Sequence, residues 1–244
     1  MVKSVILAAG KGTRMKSDKP KVVHQVMGKP MVYYSIEAAR RAGADQVCVI
    51  VGYKADEVKQ AIAESEESVS VSYALQEQQL GTGHAVKCAS DFIGKDGDVI
   101  ILCGDTPLVT GETLSKALDF HQKNGNGVTV ISAILDDPFG YGRIIRNGDS
   151  LEKIVEEKDA DESEKAVKEV NSGMYIFNCD ALQAALTQIS NDNAQGEYYL
   201  PDAIEIIKKM GLKASAVPMD DADQIRGVNT LEQLAEAEKI MENR

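Results

Sequence analysis

A chain of 244 residues can bury a full core without disulfide or metal staples, and it is short enough to form one domain. Its formal charge of −11 argues against a general grip on nucleic-acid polymers or anionic membranes. The charge is uneven, however: residues 1–30 hold seven Lys or Arg against one acid, a local +6 on a remainder of −17, which suits a small polyanion. Cys48, Cys88, Cys103 and Cys179 are far apart with no C-x-x-C spacing. Cys48 and Cys103 fall in apolar runs, so buried free thiols in a reducing cytoplasm are expected. The first apolar run is too short for a signal-peptide core or a membrane span.

In chain order, apolar runs rich in Val and Ile recur at "SVILAA", "QVCVIVG", "SVSVSYA", "DVIILCGD" and "GVTVISAIL". Segments of helical period lie between them at Met31–Ala42, Asp56–Ala63, Ala85–Phe92 and Thr113–His121. Strands alternating with helices of this length imply βαβ units and a mostly parallel, doubly wound α/β sheet. After Pro138 the rhythm changes. Asn147-Gly148 separates two strand-like pieces of "RIIRNGDSLEKIVEE" and signals a hairpin, hence an antiparallel excursion. "DADESEKAVKEV" reads as a charged connection, partly helical; "NSGMYIFN" returns to strand; three helical segments then follow or flank a last strand, "KASAVPM". No repeat, low-complexity tract or linker interrupts the chain, so residues 1–230 are expected to form one domain, with 231–244 its C-terminal helix.

The most informative stretch is "LAAGKGTRM", Leu7–Met15, a glycine-rich turn leaving the first strand. Glycine lets backbone N–H groups come close to phosphate. The dinucleotide fingerprint fails because Met15 stands where its third glycine belongs, and no Gly-Lys-Ser/Thr follows Gly10 at P-loop spacing. What remains is a turn with Lys11 and Arg14, followed by Lys16, Lys19 and Lys21. Open α/β sheets bind ligands beyond the carboxyl ends of their strands, and Asp105 closes "VIILCGD" at such an end. No His/Cys cluster has zinc spacing, and His24, His84 and His121 read as packing or helix-start residues.

With these residues in hand, "LAAGKGTRMKSDKPKVVHQVMGKP" resembles the G-x-G-T-R-x(n)-P-K signature of sugar-1-phosphate nucleotidylyltransferases. "LQEQQLGTGHA", "CGDTPL", "FGYGRI", "IVEEKDA", "VNSGMY", "NDNAQGEYYLPD" and "GVNTLEQL" follow in the order of the bacterial UDP-N-acetylglucosamine pyrophosphorylases. The resemblance covers nearly the whole chain. It implies a Rossmann-like nucleotidylyltransferase fold and transfer of UMP from UTP to N-acetylglucosamine 1-phosphate with release of pyrophosphate. The family usually adds a C-terminal acetyltransferase domain, a left-handed β-helix of hexapeptide repeats. Nothing here resembles that repeat, so a shortened form or a stand-alone uridylyltransferase is expected, a monomer or weak homo-oligomer.

The resemblance also implies roles. Leu7, Ala8, Ala9 and Gly10 would hold the base and ribose side of the nucleotide through their backbone, and Gly12 and Thr13 would bring amides to the phosphates. Arg14 and Lys21 would be the catalytic cations, with Pro20 pre-setting the chain into Lys21. Asp105 and Asn229 would share one Mg²⁺. Gln76, offering a donor and an acceptor, would read the uracil edge beside Gly81 and Thr82. Gly140, Glu156, Asn171 and Asn229 would take the sugar, with Glu156 chosen over Glu157 by the match to "IVEEKDA". Tyr198 or Tyr199 would wall the acetamide, though core packing suits either ring.

Two rivals stand beside this reading. Another sugar-1-phosphate nucleotidylyltransferase would use a different sugar or nucleotide. A non-catalytic nucleotide-sugar sensor could drop its metal ligands, and here candidates for both are present.

Overall fold

The computed structural model describes residues 1–65, 71–148, 150–193 and 195–244. The first half alternates as the apolar runs require. β1 (Val2–Ala8) leads through a long loop and a short ribbon, β2 (Gln25–Val26) with β3 (Lys29–Pro30), into α1 (Met31–Arg41). Then come β4 (Gln46–Val51), α2 (Ala55–Ser65), β5 (Ser72–Leu75), α3 (Thr82–Cys88), α4 (Ser90–Ile93), β6 (Asp98–Cys103) and α5 (Gly111–Asn124). The second half runs β7 (Asn126–Ile134), β8 (Arg143–Asn147), β9 (Ser150–Val155), α6 (Glu162–Lys165), β10 (Glu169–Asn178), α7 (Cys179–Leu186), α8 (Asp202–Lys209), β11 (Lys213–Pro218) and α9 (Leu231–Glu242).

Among the described residues the main sheet has the order β11-β7-β10-β6-β1-β4-β5, with the β8–β9 hairpin hanging from β10. β4 and β6 flank β1 in parallel, β5 extends β4 in parallel, and β11 is parallel to β7. β10 runs antiparallel between β6 and β7. The sheet is therefore doubly wound and mostly parallel, and its antiparallel part comprises β10 as well as the hairpin.

Helices cover both faces, so strand residues of either orientation are buried and the strands read as unbroken apolar runs. In β6, Val99 and Ile101 pack with Val86, Ile93, Leu182 and Ile204 of α3, α4, α7 and α8. Ile100 and Leu102 pack with Ile36, Ile62 and Leu114 of α1, α2 and α5 on the other side. A smaller cluster joins Val26, Met31 and Leu108 to Val228 and Ala237 of the C-terminal region.

Two local expectations need adjustment. The single helix expected over Ala85–Phe92 is two, interrupted at the non-helical Ala89; Val86 and Ile93 enter the same core, so the apolar period carries across the break. In the hairpin Asn147 pairs with Ser150, so the loop begins at Gly148 rather than at Asn147; Asp149 is outside the described residues, as are residues 68–70 of the "SVSVSYA" run. Gly148 has φ +59, the left-handed conformation glycine adopts cheaply.

One feature positions the site. Pairing of β6 with β10 ends at Ile101–Tyr175, although β6 continues to Cys103 and β10 extends back to Glu169. Past that point β10 carries a bulge between Asn171 and Met174, with Gly173 at φ +76. The two strands thus fork, and a concave space opens between their ends.

Candidate active site

The cavity in this fork has a volume of about 610 Å³, and its walls include Leu7, Cys103, Gly140, Glu156, Asn171 and Tyr199. Leu7 and Cys103 are a paired couple at the ends of β1 and β6. Cys103 donates to Gly173 O at 3.6 Å, and burial, with the nearby Asp105 charge, pushes its thiol up to about 12. It is a neutral wall, not a nucleophile.

Beyond β1 the glycine turn behaves as its composition demands. Gly12 lies at φ +66, and a Cβ there would collide with Lys21. Thr13–Met15 form one turn of 3-10 helix. Gly10, Thr13 and Arg14 are exposed, while Ala8 and Ala9 are buried. Lys54 braces the loop from outside, donating to Asp18 O at 2.7 Å and to its carboxylate at 3.0 Å. Lys11 stands 5.4 Å over the Tyr53 ring. These contacts give Lys11 a structural partner, whereas Arg14 and Lys21 turn inward to polar partners.

Those partners are the two expected metal ligands. Lys21 donates to Asp105 Oδ2 and, at 2.9 Å, to Asn229 Oδ1. Arg14 Nη2 donates to the same Asn229 oxygen at 2.8 Å. Residues separated by more than 200 positions in sequence are joined here because Val228 N bonds Asp105 O at 2.9 Å, bringing the Gly227–Asn229 segment against the end of β6. Asn229 N in turn donates to Gln233 Oε1 of α9 at 2.8 Å. Two oxygens, one from a carboxylate and one from an amide, therefore converge on a single cationic group. Among the described residues no cluster of three or more His, Cys, Asp or Glu could hold a metal.

Gln76 is buried, 5% exposed, and its amide nitrogen lies 3.1 Å from Gly81 O and 3.1 Å from His84 Nδ1. With both amide protons spent on these acceptors, Gln76 offers its carbonyl oxygen and not the donor-acceptor pair expected from sequence. Gly81, at φ +101, has no room for a Cβ beside Tyr198 O, and Thr82 Oγ1 accepts from Leu200 N at 3.1 Å. The backbone of Tyr198 bonds Leu80 O and Gly83 N, each at 2.8 Å, and its ring lies 6.3 Å from His84. Tyr198 thus braces the segment 80–83, and Tyr199 is the one that walls the cavity. Ala194 of the preceding motif is outside the described residues.

On the opposite wall Asn171 is held on three sides: its N–H donates to Gly142 O at 2.8 Å, its Nδ2 to Tyr175 Oη at 2.8 Å, and its Oδ1 accepts from Gly173 N at 3.0 Å. Tyr175 is 3% exposed, and burial drives its phenol far up, so it stays protonated. Glu156 and Glu157 part company in environment. Crowding at the wall, with Asp159 nearby, raises the Glu156 carboxyl. Glu157 is lowered, first by its hydrogen bond from Arg143 and then by that from Gly140 N. Glu156 therefore faces the cavity with acceptors to spare, and Glu157 is committed to the scaffold.

The structure thus brings Arg14, Lys21, Asp105 and Asn229 into one cluster, sets Gly140, Glu156 and Asn171 around a cavity, and keeps Gln76 beside Gly81 and Thr82. Sequence reading missed Gln79, whose Nε2 donates to Ala9 O at 2.8 Å, and Tyr175, which orients Asn171. Both stood inside quoted motifs, one as the fourth residue after Leu75 and one as an aromatic at an apparently core position.

A mostly parallel sheet forked at the antiparallel β10, with Arg14 and Lys21 gathered on Asp105 and Asn229 beyond the end of β6, has the form of a site for a small anion. Residues 3–239 match the family model for Nucleotidyl transferase, and the chain belongs to that family. It is 54% identical over 242 residues to the Bifunctional protein GlmU of Caldanaerobacter subterraneus subsp. tengcongensis, and the match takes in 99% of this chain and 52% of that protein. The Bifunctional protein GlmU of Clostridium perfringens (strain SM101) is 51% identical and that of Staphylococcus epidermidis (strain RP62A) 49% identical, each over 99% of this chain. The chain spans about half the length of these curated relatives. A solved structure from Bacillus anthracis, described as a candidate glucose-1-phosphate thymidylyltransferase in complex with sucrose, shares the fold at TM-score 0.77 and 20% identity, covering 98% of this chain and 95% of its own. No helix among the described residues is long and apolar enough to cross a membrane.

Proposed function

We propose that this chain transfers UMP from UTP to N-acetylglucosamine 1-phosphate, giving UDP-N-acetylglucosamine and pyrophosphate. The carrying observation is the convergence of Arg14 and Lys21 on Asp105 and Asn229 beyond the end of β6. A phosphate oxygen of the sugar phosphate, already anionic near neutral pH, attacks the α-phosphorus in line. The bond to the bridging oxygen breaks, and pyrophosphate leaves with the electron pair. No protein nucleophile or strong base is required, so the residues act by alignment and by offsetting charge.

Arg14 offers its planar fork to the β- and γ-phosphates, and Lys21 neutralises the transferred group. The backbone of Leu7–Gly10 lies along the base and ribose, and the Gly12–Thr13 turn admits the phosphates closely. Gln76 Oε1 accepts from N3–H of uracil, a proton that cytosine lacks, next to Gly81 and Thr82. Gly140 leaves space for the ring, while Glu156 accepts from sugar hydroxyls and Asn171 and Asn229 complete the polar contacts. Asp105 and Asn229 fit Mg²⁺: they supply two oxygens turned toward one cation position, and this ion keeps its other positions for phosphate and water. When bound it neutralises phosphate charge.

The test is pyrophosphate release by the purified protein with Mg²⁺, pairing UTP, CTP, GTP, dTTP and ATP with N-acetylglucosamine 1-phosphate, glucosamine 1-phosphate and glucose 1-phosphate. Release confined to UTP with the N-acetylated sugar is expected. Another productive pair would overturn the assigned pocket, and no release with any pair would favour the sensor.

A further inference from the structure

Arg143 has no part in the chemistry above, yet it is a charged residue 2% exposed at the start of β8. Burying a guanidinium is expensive unless its donors are met. Here they are met on several sides: Nη1 donates to Tyr141 O, Nη2 to Glu157 Oε2 at 2.7 Å, and Nε to Lys165 O at 3.4 Å. The same Glu157 oxygen accepts from Gly140 N at 3.1 Å. One residue before Arg143, the Gly142 carbonyl accepts from Asn171 N.

Three of the four candidate sugar contacts are therefore within one step of this knot. Gly140 is bonded to Glu157, Glu156 is the covalent neighbour of Glu157, and Asn171 is bonded to Gly142. We propose that Arg143, with Glu157 as its counter-ion, is the positioning device of the sugar wall, fixing Gly140, Glu156 and Asn171 relative to one another. The inference rests on the proposed function for the identity of that wall. A planar fork carries its donors on three separate nitrogens and so holds a carboxylate and two carbonyls at spaced positions; an ammonium carries its donors on one nitrogen and lacks that spacing. Glu157 also borders the cavity, but its Oε2 is held by Arg143 and Gly140 N.

The wild-type protein is first assayed for the sugar phosphate it turns over, which tests the function alone, and the variants are then read on that same sugar phosphate. Glu157→Ala and Arg143→Lys should raise the KM for the sugar phosphate about tenfold, the scale of one or two lost hydrogen bonds, with the KM for the nucleotide within about twofold of wild type. Glu157→Gln, which keeps an acceptor for Arg143 and Gly140, should restore most of the loss. Circular dichroism and the melting temperature establish that each variant is folded. Should Arg143→Lys fail to fold, Glu157→Ala carries the same test from the exposed side of the pair. A sugar-phosphate KM unchanged in folded Glu157→Ala, or both KM values rising together, would overturn the proposal.

Discussion

At the scale of single residues, the clearest feature is that Asn229 Oδ1 accepts from two cations at once. Arg14 is exposed, and an exposed arginine usually contributes little to stability. Its bond to Asn229 gives it a role in the proposed function instead. Arg14→Ala should lower turnover by roughly 10²–10³, the scale for removing one stabilising donor, with little change in melting temperature. Steady-state kinetics beside a thermal melt checks this, and unchanged turnover would return Arg14 to the class of ordinary surface ion pairs. Lys21 makes a second point. Its ammonium lies between the oxygens of Asp105 and Asn229 that would hold Mg²⁺ in the proposed function, and there Lys21 would give up the carboxylate and pair with phosphate.

At the scale of elements, β10 does the most. Its Glu169 accepts from Arg146 of β8 at 2.6 Å and from Ser132 of β7 at 2.6 Å, and Arg146 reaches Ala216 O of β11 at 2.8 Å. The Glu169–Arg146 pair thus ties four strands. Burial alone would raise Glu169, but the bonds from Arg146 and Ser132 outweigh it and hold the group below its ordinary 4.5. The sign follows by linkage. A depressed acid contributes stability in full above 4.5 and loses it as pH falls through the folded value. Glu169→Gln should melt lower than wild type near neutral pH, and the gap should close as pH drops below 4.5, as thermal melts across that range would read. A gap constant with pH would remove the carboxylate from the account. The antiparallel setting of β10 was only half legible. Asn147-Gly148 announced the hairpin through turn chemistry, which is local. The insertion of β10 between β6 and β7 depends on pairings between segments far apart in sequence, and apolar periodicity carries no information on strand direction.

For the molecule as a whole, the C-terminal helix joins distant parts. α9 buries Ala237 against Val26, Met31 and Leu108, and Glu238 accepts from Met27 N at 3.0 Å. Its first turn also holds Asn229 through Gln233. Gln233→Ala should therefore weaken Mg²⁺-dependent turnover several-fold while the Thr230 cap, accepting from Gln233 N at 3.2 Å, keeps the helix in place. Metal titration of activity against an unchanged far-ultraviolet spectrum checks this, and wild-type metal dependence would sink it. Here too the sequence was legible in part. The βαβ rhythm and the glycine turn were readable because each is local, and Asp105 stood out at a strand end. Arg143 and Tyr175 were not, because a charge or an aromatic within an apolar strand gives no hint of which partner satisfies it.

The fork between β6 and β10 has one further meaning. Beyond Ile101–Tyr175 the sheet gives up backbone pairing between its two halves, with the Cys103 thiol on Gly173 O bridging the opening. In the proposed function the nucleotide-side and sugar-side strands would be the jaws of a partly unzipped pair, and a nucleotide sugar seated between them would replace the missing rungs. The product would act as a splint, slowing amide hydrogen exchange on both jaws together although no single strand touches the whole of it.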